Sequence, residues 1–149
     1  MKNLIVFVVF TCFMLCGNLF GQNPNPADSS SVTESKETKN RQLIVWSSGD
    51  REVALKMVFM YANNCKKRGW MDTVRLLVWG PSGKLLLEDE ELRKNLNILK
   101  ETGVELYACK GCADLYGISD QLSALGINVM YTGTMLADLQ KEGWHVLTF

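Results

Sequence analysis

Residues 42–149 predict a three-layer α/β/α sandwich built on a mainly parallel five-stranded sheet, and three observations predict it. Short apolar runs alternate with amphipathic stretches along this part of the chain. The runs carry Val, Leu and Ile on both faces instead of alternating with polar residues, as strands do when helices cover both sides of a sheet. Glycine punctuates the junctions, which cuts the chain into pieces of strand and helix length.

Gln42–Ser47 (QLIVWS) is the first strand, and Ser48-Gly49-Asp50 is a turn in which Asp50 can cap the following helix. From Arg51 to Arg68 the apolar positions Ala54, Met57, Val58, Tyr61 and Cys65 recur at steps of three and four, which predicts one amphipathic helix stopped at Gly69. Val74–Trp79 is the second strand, closed by the turn cluster Gly80-Pro81-Ser82-Gly83. Glu88-Asp89-Glu90-Glu91 then places acids in a first helical turn, where they complement the helix dipole. Leu92, Leu96 and Leu99 form that helix's buried stripe, and Gly103 ends it. Val104–Ala108 is the third strand, and the next helix is lined by Leu115, Ile118, Leu122 and Leu125, with Gly126 at its end. Ile127–Tyr131 is the fourth strand, Thr132-Gly133-Thr134 turns into a short helix through Leu136 and Leu139, and His145–Phe149 is the fifth strand.

The segment before this domain has a different character. Residues 1–21 begin with one Lys and continue in an almost unbroken apolar run from Leu4 to Cys16, the length and composition of a secretory signal peptide. Cleavage near Gly21 and an exported, periplasmic or secreted protein follow as expectations. Gly17 and Asn18 interrupt the run before it reaches the roughly 20 residues of a bilayer span, so no stable span is expected after cleavage. The same interruption sets an uncleaved anchor second, and lipidation at Cys16 is disfavoured because Leu15 stands where a small residue is needed. Residues 22–41 are polar, lack aromatic residues and cannot bury enough apolar surface to offset their ordering entropy, which predicts a disordered tether.

Charge and composition remove several function classes. The chain carries 16 Lys+Arg and 16 Asp+Glu with no basic stripe, so nucleic acid is not an expected partner. A single histidine, His145, argues against a Cys-His hydrolase and against a closed zinc site, which needs four ligands. No Gly-x-Gly-x-x-Gly occurs, so no nucleotide or other cofactor is expected. Three cysteines lie beyond the leader, too few for a disulfide scaffold. Cys65 falls on the apolar stripe of the first helix and reads as core.

Cys109 and Cys112 carry the chemistry. They occur in YACKGCADLYG, where a strand pattern gives way to a helix pattern, and unpaired helix-start amides favour a thiolate. In a parallel sheet the ligand edge lies beyond the carboxyl ends of the strands. The pair therefore falls among the loops Ser47–Asp50, Gly80–Lys84 and Thr132–Thr134. Cys109 is the candidate attacking thiolate and Cys112 the candidate resolving thiol; two small residues packing a tight turn is the plainer alternative. Lys110 adds a nearby charge and Gly111 leaves the backbone open to a partner. Ser47 and Ser48 are candidates for holding an anion, and Thr132 and Gly133 for lining a pocket, with helix capping the plainer role for the last two.

These segments, namely the LIVWSSGD opening, the ACKGCADLYG turn and the ending ALGINVMYTGTMLADLQKEGWHVLTF, resemble the DsrE/DsrF-like family of sulfur-relay proteins over essentially all of residues 42–149. The resemblance implies a five-stranded parallel α/β/α domain that assembles as a homo-oligomer, a trimer or hexamer. It also implies that Cys109 corresponds to the cysteine that carries sulfur as a persulfide, with a sulfur donor or acceptor protein or a small sulfur species as partner. Cys112 and the export signal depart from that pattern. Three functions follow: transfer of sulfane sulfur through Cys109, dithiol–disulfide exchange by Cys109 and Cys112, or a non-catalytic oligomeric module that binds a small ligand or peptide.

Overall fold

The computed structural model describes residues 40–149; the expected signal peptide over 1–21, and all of the tether over 22–41 except its last two residues, lie outside the described residues. Strand β1 runs Arg41–Trp46, one residue earlier than the sequence suggests, followed by α1 (Arg51–Val53), a π-helical stretch Ala54–Phe59 and α2 (Met60–Lys67). Then come β2 (Thr73–Val78), α3 (Ser82–Glu88), α4 (Glu90–Glu101), β3 (Glu105–Cys109), α5 (Lys110–Tyr116), α6 (Ser119–Ala124), β4 (Asn128–Met130), α7 (Thr132–Lys141) and β5 (His145–Thr148). All strand pairs are parallel, in the order β4-β3-β2-β1-β5. The fold class is the predicted one, an all-parallel five-stranded α/β sheet.

Strand order explains why the two faces differ. The chain steps outward from β1 through β2 and β3 to β4, always in one direction, so right-handed crossovers put every helix from α1 to α6 on the same face. The step from β4 back across to β5 reverses direction and carries α7 to the other face. The packing agrees. Ile44 and Trp46 of β1 join Val74, Leu76 and Val78 of β2 against Val58, Leu92, Leu96 and Leu122 in the larger core. The intervening residues Leu43, Val45 and Leu77 face Leu139 of α7 and Trp144 in the smaller one.

Three expected helices form differently. The helix over 51–68 contains the π-helical stretch, and the wider winding brings Ala54, Val58 and Phe59 inward while Met57, expected on the buried stripe, turns out to solvent. The second helix does not start at Glu88: α3 begins inside the Gly80–Gly83 turn cluster, and Asp89 ends α3 and caps α4, accepting from the Leu92 amide at 3.0 Å. Arg51 adds a bond to Asp89 from its Nε at 2.6 Å. The amide of Leu92, followed by Arg51, holds the Asp89 carboxyl below its usual range. The third helix breaks into α5 and α6 at Gly117, whose φ of +68° only glycine adopts readily, and the break leaves Leu115 at 88% exposure. Among the described residues no helix is long and apolar enough to cross a membrane.

Candidate active site at the end of strand β3

The loop after β3 leaves toward the α5 face and the loop after β4 leaves toward the α7 face. A crevice opens where adjacent strands send their connections to opposite faces, and in open parallel sheets that is where ligands bind. Cys109 is the last residue of β3 and the N-cap of α5; it is paired in register with Met130 of β4, and Thr132 opens α7 directly beyond. Cys109 and Thr132 are thus the two lips of the crevice.

The surroundings of the Cys109 sulfur are unusual for a half-buried thiol. Burial pushes its pKa up, yet the nearby Thr132 hydroxyl, Cys112 amide, Cys112 thiol and Thr132 amide together outweigh burial and leave it below the ordinary thiol value. The two amides belong to the first turns of α5 and α7, where main-chain donors have no partner within the helix. Tyr131, the N-cap of α7, supplies no side-chain cap. Thr132 is fully buried, and its hydroxyl has no hydrogen-bond partner. The Cys109 sulfur is the titratable group it bears on, and an anionic sulfur is a better acceptor for such a hydroxyl than a thiol is.

Cys112 has the opposite balance. Burial and the neighbouring Cys109 push its pKa up, against opposing contributions from the Gly80 amide and the Trp79 indole. Both cysteines are free. The pair therefore consists of a more acidic thiol, Cys109, and a less acidic one, Cys112.

The remaining candidates are distributed unevenly. Lys110 is tied to Asp114 at 2.6 Å and lies 5.8 Å from the Tyr131 ring centre, so its charge is largely taken up by its own helix. Gly111 sits over the sulfur, and a Cβ there would stand 4.0 Å from both Cys109 Sγ and the Tyr131 ring. A larger side chain at 111 would narrow the approach. Gly133 has nothing within 4 Å of its own Cβ position. Ser47 and Ser48 are engaged elsewhere, with both amides and the Ser47 hydroxyl bonded to the main-chain oxygen of Phe149 at 2.8–3.0 Å. The Ser48 hydroxyl accepts from the Asp50 amide, and Asp50 caps α1 by accepting from Val53. His145 pairs with Gln42 at the amino end of the sheet, the opposite end from Cys109.

The family profile for DsrE/DsrF-like proteins matches residues 45–149. The chain belongs to the DsrE/DsrF-like family. Solved structures agree with that assignment. A conserved protein of unknown function from Bacteroides thetaiotaomicron, BT1422, is 29% identical with a TM-score of 0.71, the match covering 74% of this chain and 95% of that one. The ychN protein of E. coli (21% identity, TM-score 0.59, 74% and 99% covered) shares the fold. So does MTH1491, a protein of unknown function from Methanobacterium thermoautotrophicum (21%, 0.60, 74% and 100%). No curated protein sequence matches the chain.

Within this DsrE-like domain, three contributors receive no individual role from the sequence alone, although Gly80 and Ser82 fall in a loop that it places at the same sheet edge. Trp79 and Gly80, which position Cys112, look like the end of a strand and the start of a turn. Ser82 is fully buried and donates to the Trp46 carbonyl at 2.6 Å while accepting from the Trp79 amide at 3.0 Å, tying the ends of β1 and β2 together beside the site. The signal for all three is the cluster Trp-Gly-Pro-Ser itself, denser in turn residues than a simple strand exit needs.

Proposed function

We propose that this protein accepts and passes on sulfane sulfur through Cys109. The carrying observation is the set of polar groups around the Cys109 sulfur: first-turn amides of two helices on opposite faces, plus a buried hydroxyl that has no hydrogen-bond partner. Such a cradle favours a thiolate nucleophile, and a persulfide formed there is itself an anion at neutral pH. In the loading step the thiolate attacks the outer sulfur of a polysulfide or thiosulfate. A sulfur–sulfur bond forms at Cys109, and the shortened polysulfide or sulfite leaves with the bonding pair. Membership of the DsrE/DsrF-like family supports a sulfur-relay role, with a donor or acceptor protein or a small sulfur species as partner. We also propose export to the periplasm or beyond, on the signal-like residues 1–21, and a homo-oligomeric assembly.

The experiment is cyanolysis after loading. Cys112→Ser protein, in which the neighbouring thiol cannot consume the sulfur, is reduced, charged with inorganic polysulfide and freed of excess; it should release one thiocyanate per chain with cyanide, and the Cys109→Ser/Cys112→Ser double variant should release none. Thiocyanate yields that are equal in the two proteins would remove the proposal. A second reading, dithiol–disulfide exchange, is favoured by the place of Cys112 in the first turn of the helix whose N-cap is Cys109. It predicts that the pair is isolated from an oxidising environment as a disulfide.

A further inference from the structure

We propose that Cys112 discharges the sulfur carried by Cys109 as hydrosulfide, closing a Cys109–Cys112 disulfide, so that the site reduces sulfane sulfur instead of only relaying it. The inference rests on the reading that Cys109 takes up sulfur as a persulfide, and extends it to the fate of that sulfur.

The geometry supplies what the step needs. Cys109 is the N-cap residue of α5 and Cys112 lies in its first turn, so the two side chains are neighbours and both cysteines are free. The Gly80 amide and the Trp79 indole, at the end of the neighbouring strand, also bear on the Cys112 thiol. Loading changes what Cys112 faces. Before loading it faces the more acidic of the two sulfurs and is the one that holds its proton more tightly. Afterwards the negative charge resides on the outer sulfur, and the inner sulfur that Cys112 touches is an electrophile.

The step balances without an outside oxidant. Cys112 Sγ bonds to Cys109 Sγ, and the bond between Cys109 Sγ and the outer sulfur breaks. The proton of Cys112 leaves with that sulfur as hydrosulfide. The outer sulfur gains two electrons and becomes sulfide, while the two cysteine sulfurs are oxidised to the disulfide. A small or protein thiol reductant then reopens the disulfide by exchange and restores both thiols.

The test follows one loaded population over time. Reduced protein is charged anaerobically with inorganic polysulfide, stripped of excess and of all thiols, and followed by intact mass and by sulfide assay. In the wild type, the mass one sulfur above the reduced chain should give way to a mass two hydrogens below it, with one hydrosulfide per chain. Cys112→Ser, with Cys112→Ala in parallel, should hold the extra sulfur at least roughly tenfold longer and release it only when an external thiol is added. Equal lifetimes in wild type and both variants would overturn the inference, as would wild type that keeps its extra sulfur or sheds it without forming the disulfide. The two proposals separate cleanly. If the Cys112 variants gain the sulfur but the wild type forms no disulfide, only this inference falls. If they gain no sulfur while Cys109 still alkylates, the persulfide reading falls and takes this one with it.

Discussion

Helix α2 around Cys65 and the β3–α5 turn around Cys109 treat the same side chain in opposite ways. Burial pushes both thiols up. At Cys65 burial prevails: the residue is fully buried in the larger core, and the Tyr61 hydroxyl is the group that opposes the shift. At Cys109 burial is outweighed, because the sulfur lies where two helices begin. The middle of a helix uses every amide on its own backbone, whereas its first turn leaves amides free to point at something else. The difference between a packing cysteine and a reactive one is therefore a matter of position along the helix more than of exposure.

The contrast breaks most readily on reactivity. In the folded, reduced protein at neutral pH, iodoacetamide should alkylate Cys109 at least about a thousandfold faster than Cys65, which reacts only when the core opens. Peptide mapping of a timed reaction checks this, and Cys109→Ser should remove the fast phase. Comparable rates at the two positions would erase the distinction.

How much of this a reader of the sequence sees depends on how local each signal is. The five strands show as apolar runs, and the Asp50 cap and the Leu92–Leu96–Leu99 stripe show as spacing. The Cys109–Cys112 pair shows because both residues lie within one helical turn. Thr132 shows only as part of a loop at the same sheet edge; its place directly beside Cys109 follows from the pairing of β4 beside β3 and from α7 leaving to the opposite face. Trp79 and Gly80 reach Cys112 only through the β2–β3 register. Met57 and Leu115 mislead for a related reason: regular α-helical spacing assumes an unbroken helix, and a π-helical stretch and the Gly117 break interrupt it.

Thr132 sharpens the contrast next. Thr132→Val keeps the shape and removes the hydroxyl, so the Cys109 pKa should rise and its alkylation rate at neutral pH should fall by roughly three- to tenfold. The same change should stabilise the fold in mild acid by about 1 kcal/mol, because there Cys109 is a thiol and the buried hydroxyl lacks a good acceptor. Slower alkylation together with a higher melting temperature at low pH is the signature of a hydroxyl kept for the thiolate. Slower alkylation with a lower melting temperature would make Thr132 a packing residue.

The smallest effect concerns Cys65. Cys65→Ala should cost about 1 kcal/mol near neutral pH, the loss of one buried atom and its contacts. That cost should shrink as the solution becomes alkaline. The folded pKa of Cys65 is raised, so its contribution is intact below the unfolded value of about 8.5 and is lost as pH rises from there through the folded pKa. Cys112, also raised, loses stability in the same direction. Cys109, depressed, contributes above about 8.5 and loses that contribution as pH falls through its folded value. Both are common to wild type and variant, so the difference between two urea-unfolding series at several pH values isolates Cys65. A difference that stays constant from neutral to alkaline pH would mean that the thiol is not held protonated by its burial, and the opposition between the two cysteines would then rest on Cys109 alone.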